Sequence, residues 1–239
     1  MTTRELWVVD LGVRDYGEAL DLQRTLARQR ITREIPEDLL LLVEHRPVVT
    51  MGRSTKAEHV LASREVLSAG GVEVFDVERG GDVTFHGPGQ LVGYPIIDLK
   101  RHRRDLHWYL RQIEETLIRT LAAVGVHGSR KAGLTGVWVG VGAAPSPAGR
   151  KIASIGVHAR DWVTWHGFAL NVTTDLSYFD LIVPCGIPAV TMTSLARETG
   201  DAAMTVAGAA DQVMRAFGEV FELEANWRPE LIPSVGAAG

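Results

Sequence analysis

The side chains best suited to covalent chemistry are the single cysteine, Cys185, and a lysine, Lys151, that opens an apolar segment. Pro184 and Gly186 flank the cysteine and predict a tight turn, where a sulfur can face a cleft. The alternative for a lone cysteine is a small buried hydrophobic residue, and the alternative for the lysine is a surface position. A nearby ammonium stabilises a thiolate, and the neutral amine can carry a proton, so the two would form a dyad if they meet.

A second polar segment, residues 79–90, reads Arg-Gly-Gly-Asp-Val-Thr-Phe-His-Gly-Pro-Gly-Gln. Its glycines permit close backbone approach, and its polar side chains can contact a ligand. The segment lacks both the Walker spacing and a GxGxxG before a helix, which argues against a nucleotide loop. A ligand-lining loop and a structural turn both remain open from these residues.

The eight histidines show neither HxxxH nor HExxH spacing, so no metal site is predicted. His86, within the glycine-rich segment, is the one histidine singled out as a candidate site residue. His158 and His166 lie in stretches with a β pattern, where partly buried structural roles are expected.

Composition indicates an ordinary soluble protein, with 239 residues, 46% hydrophobic and 23% charged. One folded domain is expected over residues 1–225, followed by a flexible C-terminal tail at 226–239. A charged start and the absence of a long apolar run predict a cytoplasmic protein without a membrane span. The single cysteine excludes an internal disulfide, and a monomer is expected.

The net charge of −4 argues against a nucleic-acid partner, although residues 100–104 read Lys-Arg-His-Arg-Arg. This basic cluster is interpreted either as a solvated turn before a helix or as a docking site for an acidic carrier protein.

Hydrophobic periodicity predicts strands alternating irregularly with helices. Strands are expected at residues 5–11, 38–44, 72–77 and 90–99, and on both sides of a mobile loop at 142–149. Helices are expected at residues 15–31, 105–124, 193–198 and 206–221. Such an order, without regular βαβα alternation, indicates an α+β fold with a mixed sheet.

Several motifs together resemble those of the LipB family, the lipoyl(octanoyl) transferases. They are Arg79-Gly-Gly-x-x-Thr-Phe-His-x-Pro-Gly-Gln-Leu-Val-x-Tyr-Pro95, Lys151-Ile-Ala-Ser-Ile-Gly156, His166-Gly-Phe-Ala-Leu-Asn171 and Pro184-Cys-Gly-Ile187. They occur in the family's order, and the resemblance covers about residues 11–198. The loop at 142–149 is longer and richer in proline and alanine than is common in the family.

This resemblance implies a biotin/lipoate protein ligase-like catalytic domain, with a mixed sheet, a smaller sheet and flanking helices. The family's nucleophile maps onto Cys185 and its lysine partner onto Lys151. The acyl-binding segments map onto Arg79, Gly80, Gly81, Asp82, Val83, Thr84, Phe85, His86, Ser154, Ile155, Gly156, Gly167, Phe168 and Ala169. Backbone N–H groups near Gly156 or Cys185 are candidates for holding an oxyanion.

The implied activity is transfer of an octanoyl group from octanoyl-acyl carrier protein, through a Cys185 thioester, to a lysine of a lipoyl domain. The implied acceptors are the lipoyl domains of 2-oxoacid dehydrogenase E2 subunits and the glycine cleavage H protein, and no cofactor is expected. One alternative is an ATP-dependent lipoate or biotin ligase, which needs no thiol. Another is a non-catalytic module that binds acyl groups.

Overall fold

The computed structural model describes residues 4–142, 148–201 and 203–228, which contain eleven strands. The strands are β1 (Glu5–Arg14), β2 (Asp38–His45), β3 (Val48–Met51), β4 (Glu73–Asp76), β5 (Thr84–His86), β6 (Gln90–Ile96), β7 (Gly128–Lys131), β8 (Leu134–Val141), β9 (Ala148–Arg160), β10 (Val163–Asn171) and β11 (Glu224–Trp227). Eight of them form a mixed sheet in the order β11-β1-β2-β6-β10-β9-β8-β7, and β4-β3-β5 form a smaller sheet. The expected pairing of a large and a small sheet is therefore confirmed.

The helices are α1 (Tyr16–Thr32), α2 (Arg64–Ala69), α3 (Leu106–Ala123), α4 (Leu195–Thr199) and α5 (Val206–Phe221). The predicted helix at 105–124 is α3. Its Asp105 carboxylate accepts the Trp108 N–H at 3.0 Å, and Gly125 follows the helix with a φ of 77°. An N-cap carboxylate and a glycine in the left-handed region are the features that start and stop a helix.

The large sheet is covered on both faces, as the continuous apolar run of β2 predicts. Leu39 and Leu41 pack with α1 residues on one face, and Leu40 and Leu42 pack with α3 and α5 residues on the other. Successive side chains of a strand point to opposite faces, so an all-apolar strand requires two hydrophobic layers.

A cluster of buried rings joins the large sheet to the small one. The His45 Nε2 lies 2.7 Å from the Tyr94 hydroxyl, and the Tyr16 ring stacks on His86 with 6.0 Å between centroids. Burial lowers the pKa of His45 to about 4 and the pKa of His86 to about 3. Both imidazoles are therefore neutral between the sheets at physiological pH.

The last strand corrects the expected domain boundary at residue 225. Asn226 and Trp227 belong to β11 and pair in parallel with Trp7 and Val8 of β1. The folded unit thus extends past the predicted start of the tail, and residues 229–239 lie outside the described residues.

The hairpin predicted around residues 142–149 has β8 and β9 as its two strands. Most of the loop expected to be mobile, residues 143–147, lies outside the described part of the chain. Within that described part, no helix combines the length and apolar character needed to cross a bilayer.

The two buried histidines predict a loss of stability in acid. Because their folded pKa values are depressed, the unfolded chain binds more protons below its pKa of ~6.5, so the stabilisation is complete above that pH and falls as pH decreases. We expect each histidine to lower the free energy of unfolding by up to ~1.4 kcal/mol per pH unit as the pH falls from about 6 to 5. Urea titrations across pH 5–7 measure this slope.

His45→Gln should reduce the slope of unfolding free energy against pH by the contribution of one bound proton. His127→Gln, at an exposed position, should leave this slope unchanged. Equal slopes in His45→Gln and the unmodified protein would contradict the assignment.

Candidate active site

Cys185 lies in a one-turn 3₁₀ segment, Pro184–Gly186, that follows an apolar stretch. Its φ of 57° and ψ of 20° are left-handed, a conformation that costs a non-glycine residue about 1–3 kcal/mol. The Cys185 N–H donates to the Val83 carbonyl at 2.9 Å, and the Gly186 N–H donates to the Val183 carbonyl at 2.9 Å. These bonds hold the strained turn in place and fix the direction of the sulfur.

A histidine and an aspartate support this turn from outside. The His59 Nδ1 lies 2.7 Å from the Asp82 Oδ2, and the His59 carbonyl accepts the Val183 N–H at 2.8 Å. A Cβ at Gly186 would lie 2.4 Å from the same Asp82 oxygen, so only glycine fits beside the pair. Sequence reasoning missed His59, because no motif connects it to the cysteine.

Lys151 is buried to 1% exposure, and its Nζ lies 3.0 Å from the Cys185 Sγ. Its main chain joins β9 to the segment after the cysteine: the Lys151 N–H donates to the Thr191 carbonyl at 2.8 Å, and the Thr193 N–H donates to the Lys151 carbonyl at 2.9 Å. The structure thus brings together the two residues singled out from sequence. A cysteine thiol can form a thioester with an acyl group, and an amine in contact with it can carry the thiol's proton.

The pocket begins where β9 loses its partner strand. β8 pairs with β9 only as far as Ala153, after a register shift at Val137 and Trp138. Beyond Ala153 the glycine-rich loop lies along the edge of β9 in place of β8. There the Gly80 N–H donates to the Val157 carbonyl at 2.9 Å. The space between this loop and the large sheet is the candidate site.

Arg79 anchors the loop from within. Its Nη2 donates to both the carbonyl and the hydroxyl of Thr50, at 2.7 and 2.9 Å. Burial lowers the pKa of the guanidinium below its ordinary value. Because a guanidinium remains protonated in proteins even so, Arg79 adds a fixed positive charge to the pocket wall.

The cavity has a volume of about 210 Å³. That is below the ~300–1,000 Å³ typical of sites for drug-sized ligands, so it suits a smaller group. Its walls come from four strands of the large sheet (β6, β8, β9 and β10), from β5 and α1, from the glycine-rich loop and from the turn that carries Cys185. The lining residues are Tyr16, Arg79, Gly81, Asp82, Thr84, His86, Val92, Tyr94, Gly133, Leu134, Thr135, Lys151, Ser154, Ile155, Gly156, His166, Gly167, Phe168, Ala169, Cys185 and Ile187.

Three residues predicted to contact the acyl chain do not line the cavity. Val83 and Phe85 point into the core of the small sheet, where the Phe85 ring stacks on Tyr178 with 4.5 Å between centroids. Thr84 and His86 face the cavity instead, since successive residues of a strand face opposite sides. Gly80 contributes its main chain to the edge of β9.

One of the backbone donors expected for an oxyanion, that of Cys185, is already used. The Cys185 N–H is bonded to Val83, and Gly156 lies opposite Gly167 within the pairing of β9 and β10. The nearest side-chain hydroxyl to the sulfur is that of Ser154, with 3.6 Å between Oγ and Sγ.

The basic cluster at residues 100–104 is largely paired within the fold. Lys100 lies 3.6 Å from Asp98, and the His102 Nε2 lies 2.7 Å from the buried Asp38. Arg101 donates to the Pro36 carbonyl at 2.5 Å, and Arg103 lies 3.2 Å from Asp105. These contacts favour the interpretation of a structured turn over that of a free docking surface.

Across residues 4–142, 148–201 and 203–228, no three of the His, Cys, Asp and Glu side chains cluster as they would around a metal ion. His166, expected in a structural role, instead lines the cavity. The motif His-Gly-Phe-Ala-Leu-Asn gives no sequence signal for the left-handed backbone conformation that His166 has in the structure.

Residues 15–218 match the family model described as the lipoyl protein ligase A/B catalytic domain. An octanoyltransferase of Koribacter versatilis is 48% identical over 226 residues, covering 94% of this chain and 87% of that protein. An octanoyltransferase of Chloroflexus aurantiacus is 50% identical over 222 residues, covering 92% of this chain and 96% of that protein.

Solved structures share the fold at low identity. Lipoate-protein ligase A bound with ATP superposes with a TM-score of 0.69 at 16% identity, covering 95% of this chain and 89% of that one. A bi-partite lipoate protein ligase from Thermoplasma acidophilum has a TM-score of 0.67 at 15% identity, covering 95% and 86%. The predicted lipoate ligase-like α+β fold is confirmed.

The family model spans most of the chain, and curated relatives share about half of its residues, 48% and 50% in these two cases. This chain therefore belongs to the lipoyl protein ligase A/B catalytic domain family, among its octanoyltransferases, and is an acyltransferase.

Proposed function

We propose that the enzyme takes an octanoyl group from acyl carrier protein onto Cys185 and passes it to a lysine ε-amine on a lipoyl domain. The observation that carries this proposal is the 3.0 Å contact between the Lys151 Nζ and the Cys185 Sγ, both of which line the cavity. The named activity of the curated relatives supports octanoyl transfer as the reaction.

In the first half-reaction the Cys185 thiol passes its proton to the Lys151 amine, and the sulfur attacks the carbonyl of the carrier thioester. The carbon–sulfur bond to the carrier breaks, and the departing thiolate takes the proton back from Lys151. One thioester replaces another, so the step is close to energetically balanced and needs no ATP. The acyl group is then held on Cys185.

In the second half-reaction a neutral lysine amine of the acceptor attacks the Cys185 thioester. Lys151, uncharged at this stage, takes a proton from the attacking nitrogen and returns it to the departing cysteine sulfur. An amide replaces a thioester, which makes the step downhill. The Ser154 hydroxyl, 3.6 Å from the sulfur, is the candidate donor to the tetrahedral oxyanion.

The proposed donor is octanoyl-acyl carrier protein. The proposed acceptors are lipoyl domains of 2-oxoacid dehydrogenase E2 subunits and the glycine cleavage H protein. The T. acidophilum ligase that shares the fold is described together with its E2 lipoyl domain, which supports an acceptor of this class.

Intact-mass spectrometry with octanoyl-carrier protein and no ATP tests the proposal. The unmodified enzyme should gain the mass of one octanoyl group, and Cys185→Ala should gain none. Lys151→Ala should form the adduct about 10²–10⁴-fold more slowly, the usual loss when a positioned acid–base group is removed.

Lys131→Ala is the matched control, because Lys131 contacts the Trp138 ring at 4.5 Å while Lys151 lies 5.6 Å from the same ring. It should acylate at the normal rate. If the unmodified enzyme forms no adduct but transfers free octanoate when ATP is added, the thioester mechanism is wrong and a ligase mechanism replaces it.

The position of Lys151 also depends on one glycine of β8. Gly136 has a φ of 126°, its N–H donates to the buried Glu114 carboxylate, and a Cβ there would lie 2.8 Å from the Lys151 Cε. The same Cβ would lie 2.6 Å from the Ala153 carbonyl, so a side chain at this position must displace the lysine together with the adjoining backbone of β9.

We expect Gly136→Ala to slow alkylation of Cys185 by iodoacetamide at pH 7 by roughly 3- to 10-fold, since the displaced amine no longer stabilises the thiolate. Gly125→Ala is the control, because Gly125 also has a positive φ but has no atom within 4 Å of its added Cβ. Equal alkylation rates in the two variants would contradict a role for Gly136 in placing the lysine.

A further inference from the structure

His166 has an unusual backbone for the middle of a strand. Its φ is 55°, and its N–H donates to the Gln23 Oε1 at 3.0 Å. The Trp165 Nε1 donates to the Glu78 Oε1 at 2.9 Å, and the His166 Nε2 lies 3.8 Å from the same oxygen. Two successive side chains therefore face one side of the sheet, which a regular strand does not allow. A left-handed histidine costs about 1–3 kcal/mol, and such strain clusters at functional sites.

The imidazole of His166 is buried to 1% exposure and lines the cavity. Among the described residues, neither ring nitrogen has a hydrogen-bond partner, because 3.8 Å to Glu78 is too long. Burial lowers the pKa of His166, so the ring is neutral and offers one donor and one acceptor. A buried polar group left unpaired costs about 1–3 kcal/mol, so the ring needs a partner from within the cavity.

The separation between the cysteine sulfur and this ring along β9 matches the length of a medium-chain acyl group. Ser154, beside the cysteine sulfur, lies three residues along β9 from Val157, which is the pairing partner of His166. At ~3.3 Å per residue, this separation is ~10 Å along the strand. Tetrahedral carbons at ~1.5 Å bond length give an extended eight-carbon chain of ~9 Å. A chain attached to Cys185 that runs along β9 would therefore place its terminal atom near the imidazole.

We propose that His166 is a specificity-determining residue that binds a hydroxyl at the far end of the acyl chain, so that the enzyme also transfers ω-hydroxyacyl groups. The hydroxyl bonds to the ring nitrogen that faces the end of the cavity, accepting from it or donating to it according to the tautomer, and takes no part in the transfer chemistry. With octanoyl bound, the ring bonds instead to a trapped water. This inference rests on the proposed function, because it concerns the second substrate class of the same pocket.

The test compares octanoyl and 7-hydroxyheptanoyl, which have the same chain length and differ by a terminal methyl or hydroxyl. Both are supplied on the same carrier protein in one reaction, and intact mass gives the rate of each Cys185 adduct. The unmodified enzyme should form the two adducts at rates within about threefold of each other. A pocket with an apolar end would disfavour the hydroxyl by about 10- to 100-fold.

His166→Phe keeps a ring but removes both nitrogens, and should lower the hydroxyacyl rate at least tenfold relative to octanoyl. His166→Asn is the conservative partner, because asparagine tolerates a positive φ and retains a donor and an acceptor. It should keep the ratio near that of the unmodified enzyme. If His166→Phe does not fold, the ratio in the unmodified enzyme and in His166→Asn still decides the question.

A normal octanoyl adduct with a hydroxyacyl adduct more than tenfold slower, in the unmodified enzyme, would mean that His166 binds only water and would overturn this inference alone. An unchanged ratio in His166→Phe would overturn it as well. No adduct from either donor would overturn the proposed transfer itself, and the inference with it.

Discussion

The placement of a buried lysine against a single sulfur governs the architecture around the site. Lys151 has 1% of its surface exposed, and its Nζ lies 3.0 Å from Cys185. An amine is costly to bury unless it has a partner, so the sheet must bring both residues to one point. The register shift in β8, the absence of a side chain at Gly136 and the strand-like pairing of Lys151 with Met192 all serve this contact.

The same break in pairing creates room for a substrate. Where β8 leaves β9, a glycine-rich loop approaches so closely that a Cβ at Gly156 would lie 2.8 Å from the Gly80 carbonyl. Across the sheet, a Cβ at Gly167 would lie 2.1 Å from the Gly93 carbonyl. Main chains packed this tightly leave a narrow slot between the layers, which is lined by backbone and by side chains such as Ile155 and Phe168. A slot of this kind fits an extended chain better than a bulky ring.

Much of this architecture could be predicted from sequence, because long helices such as α3 and α5 have strong amphipathic periodicity and β2 contains a continuous apolar run at residues 39–43. β11 was missed, since Glu-Ala-Asn-Trp has no apolar pattern. Val83 and Phe85, predicted to contact the acyl chain, do not line the cavity, and alternation with Thr84 and His86 could have separated the two faces. The proximity of Lys151 and Cys185 followed only from the family resemblance, and His59 and the backbone of His166 depend on tertiary contacts that no local pattern encodes.

The parallel pairing of Glu5 with Glu224 has a consequence for how the molecule is assembled during translation. β1 cannot pair with β11 until the ribosome has made nearly all of the described chain. Contacts between residues so distant in sequence form slowly. The strands that surround the cavity, β6, β8, β9 and β10, are all complete by Asn171 and lie toward the other side of the sheet. β11 can therefore join the sheet late without delaying the pairing of β6, β10, β9 and β8 with one another.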